Sequence, residues 1–253
     1  MKPTKMLAAA IGLLAGLAIS AQAIAGQTNI AVAANFTDAV KEIAAAFKAK
    51  TGHEAVLSFG ATGALYTQIT QDAPFEILLS ADTERPKKLV DDGLGVADSR
   101  FTYAIGKLVL WSKNPDLVKG EETLKGGGFT KVAIANPISA PYGAAAIETL
   151  KALKLDETLQ SKIVQGNSIA QTFQFIDTGN AELGFIALSQ LAGKTEGSRW
   201  MVPQTLYSPI KQDAVLLKKG ASNEAATAFL SFLKGAEARA IIEKYGYAID
   251  SQS

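Results

Sequence analysis

Ile30-Ala31-Val32-Ala33-Ala34-Asn35-Phe36-Thr37-Asp38-Ala39-Val40 changes its period midway. The run Ile30–Ala33 is short and apolar, which suits a strand buried on both faces of a parallel sheet. Asn35 and Thr37 are cap-type residues. Beyond them Phe36, Ala39, Val40, Ile43, Ala44 and Phe47 recur at three and four, the spacing of one helical face, and Thr51-Gly52 ends the repeat. This strand-turn-helix unit restarts twice. Ala55 to Phe59 reads as a strand, Gly60-Ala61-Thr62-Gly63 as a turn, and the chain through Leu65 and Ile69 as a helix. Glu76 to Leu79 is the third strand and Arg85 to Asp92 the third helix, with Pro86 in its first turn and Gly93 at its end. Strands alternating with helices predict an α/β fold with largely parallel sheets flanked by helices.

Phe101 to Trp111 is longer and richer in β-formers, and a Gly126-Gly127-Gly128 segment beyond it reads as a flexible surface loop. The alternation then resumes. Val132–Ala135 is a strand, Asn136 to Pro141 a turn and Tyr142 to Leu153 a helix. Ser168–Asp177 is helical, and Leu183–Leu188 and Ile210–Leu217 are strands. Helical stretches near Asn223–Leu233 and Ala236–Tyr245 close the chain. No Pro/Ser-rich linker separates the two α/β blocks, and the breaks fall in or beside strands near 101–107 and 208–214. Two lobes joined by two crossing strands are therefore expected. Residues 26–106 and 212–253 would form the first, and 107–211 the second.

Residues 1–25 read as an export signal: Lys2 and Lys5, an apolar stretch from Met6 to Ile19, then the small-x-small sites Ala21-Gln22-Ala23 and Ala23-Ile24-Ala25. The stretch falls short of the about 20 residues that span a bilayer, so cleavage after Ala25 and release into the periplasm are expected. Losing Lys2 and Lys5 takes the formal charge from +1 to −1, which leaves no electrostatic footprint for nucleic acid. The chain contains no cysteine, hence no disulfide and no thiolate chemistry.

Four turns share one construction, in which donors stand between a strand and a helix: Ala34 to Thr37, Gly60 to Gly63, Ala140 to Gly143 and Asn167 to Ile169. The first N–H groups of a helix lack internal partners and carry the positive end of its dipole, so they suit an anion. Such turns lie at the carboxyl ends of strands, where open α/β sheets bind ligands. Any one of them is equally a helix cap worth about 1 kcal/mol, and spacing does not show that the four converge. Gly60 and Gly63 would let backbone approach a ligand closely.

Other chemistry lacks its residues. His53 is the one histidine, placed between a helix stop and a strand and read as a solvated loop residue. Multi-histidine metal sites are thereby excluded. Gly63 is followed by Ala64-Leu65 rather than Lys-Ser or Lys-Thr, so there is no phosphate loop, and no strand leads into G-x-G-x-x-G. Asp91 and Asp92 are neighbours pointing in different directions, which makes a poor acid–base pair. The chain is not expected to be an enzyme and needs no cofactor.

Several segments resemble the periplasmic molybdate-binding proteins of ABC transporters, in order and over nearly the whole chain beyond residue 25. They are Ile30–Ala39, Phe59–Leu65, Ala73–Asp82, Asn136–Gly143, Leu183–Ile186 and Leu233–Tyr247. The resemblance implies a two-lobed fold holding molybdate or tungstate in its cleft through neutral donors, with no metal directly coordinated. It also implies a membrane permease as partner, and the chain is expected to be a monomer. By position it makes Asn35, Thr62, Tyr142 and Ile169 the oxyanion ligands, Tyr142 and Ile169 through backbone N–H groups and Tyr142 additionally through its phenol. One position departs: many members carry a Tyr whose hydroxyl reaches the anion where this chain has Ala187. A binder of sulfate or phosphate on the same scaffold is the alternative.

Overall fold

The computed structural model describes residues 25–249. The expected export signal lies outside these residues except for Ala25. Two five-stranded sheets organise the rest.

The first sheet collects β1 (Gln27–Ala33), β2 (Glu54–Gly60), β3 (Ile77–Leu79) and β4 (Phe101–Gly106), with α1 (Thr37–Thr51), α2 (Thr62–Thr70) and α3 (Glu84–Asp91) in the intervals. The second collects β5 (Leu108–Ser112), β6 (Val132–Ala135), β7 (Ile163–Gly166), β8 (Leu183–Ala187) and β9 (Ser198–Met201). Its helices are α4 (Glu121–Gly126), α5 (Pro141–Ala152), α6 (Asp156–Leu159) and α7 (Ile169–Asp177). The chain then returns to the first sheet through β10 (Ile210–Leu216), and α8 (Glu224–Lys234) and α9 (Ala236–Lys244) follow.

The strand orders are β2-β1-β3-β10-β4 and β7-β6-β8-β5-β9. In each sheet three strands run parallel and the fourth in order is antiparallel to both neighbours. Two mixed sheets flanked by helices are the expected architecture. The chain passes between them at Lys107 and again ahead of Ile210.

Period-two alternation decides what each face meets. Ile30 and Val32 of β1, with Ile77 and Leu79 of β3, pack against Phe36, Val40, Ile43 and Phe47 at the start of and along α1, and against Phe229 and Leu233 of α8. Ala31 and Leu78 point the other way, to Leu65 and Ile69 of α2 and Leu89 of α3. In the second sheet Leu110, Ile134 and Phe185 face Ala146 and Leu150 of α5, while Val109, Ala133 and Ile186 face Ile176 of α7. Each fully buried side chain of this size contributes about 1.5–3 kcal/mol.

The β-rich run Phe101–Trp111 is two strands, and the break expected near 101–107 falls at Lys107 because the halves pair in different sheets, Phe101–Gly106 with β10 and Leu108–Trp111 with β8. Two expectations are corrected. The triple-glycine loop is tied down: Gly126 ends α4, Gly127 caps it at φ +61, and Lys162 Nζ donates to the Gly127 and Phe129 carbonyls at 2.6 and 2.8 Å. His53 is only 5% exposed rather than solvated. Its Nδ1 accepts from the Gly26 N–H at 3.0 Å and its ring stacks on Phe47, because the chain entering β1 covers it.

Candidate functional site

Asn35, Thr62, Tyr142 and Ile169 line one small cavity between the sheets. Each is placed by the same local device, a buried strand ending into a helix start. Asn35 lies in the 3-10 turn between β1 and α1; Thr62 and Ile169 are the first residues of α2 and α7, and Tyr142 the second of α5. Thr62, Tyr142 and Ile169 have backbone N–H groups with no acceptor among the described residues. Three helix dipoles thus present their positive ends to one point, two from the second lobe and one from the first.

Side chains add little bulk and no charge. Ala33, Ala34, Ala61, Ala81 and Ala140 make up much of the wall, and no charged residue lines it. The Thr62 hydroxyl accepts the Ala81 N–H at 3.1 Å. A hydroxyl also owns a proton to donate, so Thr62 offers the cavity a second donor beside its N–H. Low polarity around such donors strengthens any bond they make.

Two of the expected ligands use their side chains elsewhere. The Asn35 carboxamide donates to Gln212 Oε1 at 2.9 Å and to the Tyr247 hydroxyl at 3.0 Å, so both its protons are engaged behind the cavity. The Asn35 backbone carbonyl in turn accepts from the Tyr247 hydroxyl at 2.7 Å and from Ser189 Oγ at 2.8 Å. The Tyr142 phenol, expected to reach the anion, accepts from Gln212 Nε2 at 3.2 Å and lies against Gly106; neither residue lines the cavity. Burial pushes the Tyr142, Tyr103 and Tyr247 phenols well above the usual tyrosine range, so this cluster stays uncharged.

Ala187 is fully buried and does not line the cavity. Its N–H donates to Gln190 Oε1 at 3.0 Å, and Gln190 Nε2 donates to the Ile169 carbonyl at 3.0 Å. Gln190 therefore fixes the peptide that starts α7. Sequence reading missed Gln190, Gln212 and Tyr247; the only available signal was their place after β8, on the second crossing strand and at the C-terminal return.

The lobes touch across the mouth. Gly63 N–H donates to the Ser139 carbonyl at 2.8 Å, and Arg85 Nη2 to the Ile138 carbonyl at 2.7 Å. Arg85 is held for this by an ion pair with Asp82. A Cβ on Gly63 would come within 2.9 Å of Ser139 Cα, so this glycine admits the opposite lobe rather than a ligand. Outside the contact runs a wider, open groove lined by Arg85, Lys87, Asp82 and Asp91. It carries both signs of charge and is open to water, whereas the small cavity has the convergent donors.

Among the described residues no group of three or more His, Cys, Asp or Glu is placed to hold a metal ion, and no helix is long and apolar enough to cross a membrane. The sequence profile of the bacterial extracellular solute-binding proteins matches residues 28–248. The molybdate-binding protein ModA of Rhodobacter capsulatus is 56% identical over 243 residues, covering 96% of this chain and 96% of that protein. ModA of Azotobacter vinelandii is 52% identical, covering 94% and 96%. The solved structure of a periplasmic molybdate-binding protein of Azotobacter vinelandii superposes with a TM-score of 0.86 at 42% identity, covering 88% of this chain and 100% of that one.

Proposed function

We propose a function from the premise that this chain belongs to the bacterial extracellular solute-binding proteins and, among them, to the molybdate-binding proteins. It captures molybdate, and also tungstate, in the periplasm and delivers it to the membrane permease of an ABC importer. Its part is binding and delivery, not catalysis. It acts as a monomer, with 26–106 and 212–253 as one lobe and 107–211 as the other, after export through residues 1–25 and cleavage behind Ala25.

One observation carries this reading: unpartnered helix-start N–H groups of Thr62, Tyr142 and Ile169, with the Thr62 hydroxyl, meet in one uncharged cavity. Molybdate and tungstate are fully deprotonated dianions at neutral pH, so their oxygens only accept hydrogen bonds. A cage of donors satisfies them without a counter-charge, as helix starts do for anions generally. Asn35 completes the wall and, through its bonds to Gln212 and Tyr247, fixes the turn that faces the ligand. Hydrogen phosphate would need an acceptor for its proton. Asp82, the carboxylate next to the cavity residue Ala81, is already bound to Arg85 and Ser80.

The test is thermal unfolding of the mature, dialysed protein with molybdate, tungstate, sulfate or phosphate. Ligand at about a thousand times its dissociation constant adds about 4 kcal/mol, which raises the midpoint by roughly 8–16 °C for a chain of this size. Large shifts with molybdate and tungstate and little with the other two are expected. A shift with sulfate or phosphate alone would overturn the ligand and keep the scaffold; no shift with any of the four would overturn the function.

A further inference from the structure

Gln212 sits on β10, one of the two segments that cross between the lobes, where the pairing with β4 is interrupted between Gln212 and Asp213. It is fully buried, and its amide is used on both sides. Oε1 accepts from Asn35 Nδ2 at 2.9 Å and from the Tyr103 hydroxyl at 3.1 Å, a proton Tyr103 shares with the Ser80 carbonyl. Nε2 donates to the Tyr142 hydroxyl at 3.2 Å. Asn35 belongs to the first lobe's cavity turn and Tyr142 to the second lobe's, so a single side chain joins the two half-sites.

The packing around that joint is tight. A Cβ on Gly106, at the end of β4 beside the other crossing, would overlap the Tyr142 hydroxyl and come within 2.7 Å of Gln212 Nε2. The phenol is thus wedged between the two crossings while the N–H of the same residue faces the cavity. Any relative rotation of the lobes has to move this phenol against Gly106 and Gln212.

We infer that Gln212 is a positioning residue: by bonding Asn35 and Tyr142 at once, it sets the relative placement of the two half-sites and holds them closed over the anion. This rests on the oxyanion reading above and adds what couples the halves. Gln212 does not line the cavity, so its effect on affinity passes through the lobes rather than through the ligand.

The experiment is a molybdate titration with stopped-flow dissociation on the full mature chain of the wild type, Gln212→Leu, Tyr142→Phe and the double variant. Tyr142→Phe keeps the backbone donor and removes only the oxygen that Gln212 bonds. Each single substitution should raise the dissociation constant about tenfold, the factor made by 1.4 kcal/mol, mainly through faster release. The double variant should be no worse than the weaker single, because both cut one link. A folded Gln212→Leu that binds and releases like the wild type overturns the inference, and so does a double variant whose losses multiply. If Gln212→Leu does not fold, Tyr142→Phe decides: unchanged release overturns the inference, and faster release supports it. A wild type that binds none of molybdate, tungstate, sulfate or phosphate overturns the function itself, and this inference with it.

Discussion

Thr62 gives the cavity two donors from one residue, a helix-start N–H and a hydroxyl whose lone pair is spent on Ala81. Thr62→Ala keeps the first and loses the second. A hydrogen bond to a charged ligand contributes about 1.5–3 kcal/mol, so affinity for molybdate should fall roughly ten- to a hundred-fold in calorimetry. Thr62→Ser should stay within a few-fold, and equal affinity in both variants would refute the hydroxyl's part. Asn35→Ala should weaken binding too, but with a different signature. It strips partners from Gln212 and Tyr247 and should also lower unfolding stability by about 1–3 kcal/mol, read by urea denaturation. The turns that hold Asn35, Thr62 and Tyr142 were legible because in each a strand period gives way to a helical one, whereas the choice of these residues together with Ile169 rested on the family resemblance. That Asn35 spends its amide on the protein was not legible, since its partners lie 177 and 212 positions away. His53 misled for the same reason: what covers it is Gly26, 27 positions earlier.

At the scale of elements, Glu182 ties two strand starts of the second lobe together. Its carboxylate, just ahead of β8, accepts from the Thr130 and Lys131 N–H groups at 3.0 and 2.9 Å and from the Thr130 hydroxyl, just ahead of β6. Partial burial pushes its pKa up, but these bonds outweigh that and hold it down at about 2. A depressed carboxyl stabilises the fold above its unfolded value near 4.5 and loses that contribution as pH falls through about 2. The site is exposed, so the contribution at neutral pH is on the order of 1 kcal/mol after solvent screening. Glu182→Gln should therefore flatten the decline in thermal midpoint between about pH 5 and pH 2; an unchanged acid limb would count against the link. Elements with a clean period were legible almost to the residue, Val132–Ala135 among them. β7 and β9 were not. Each pairs on one side only, and Gln165 and Arg199 interrupt the apolar pattern that a buried strand would keep.

At the scale of the molecule, the contacts at the mouth describe a closed cleft, with Gly63 and Arg85 of one lobe gripping the carbonyls of Ser139 and Ile138 in the other. Because few bonds hold this face, the ligand-free protein should open, and molybdate should lower the radius of gyration in solution scattering; identical profiles with and without ligand would refute closure. Periodicity announced two α/β blocks, and the two crossings led us to expect residues 212–253 back in the first, but no period by itself brings α8 and α9 there. That depends on distant pairs such as Lys244 with Glu42 and the bridge between Ile105 and Ala248. The grip on Ile138 engages only its carbonyl, and its side chain stands 84% exposed. In a chain without cysteine, a thiol substituted at Ile138 would carry one environment-sensitive dye at the moving edge of the cleft, turning the protein into an optical gauge of free oxyanion.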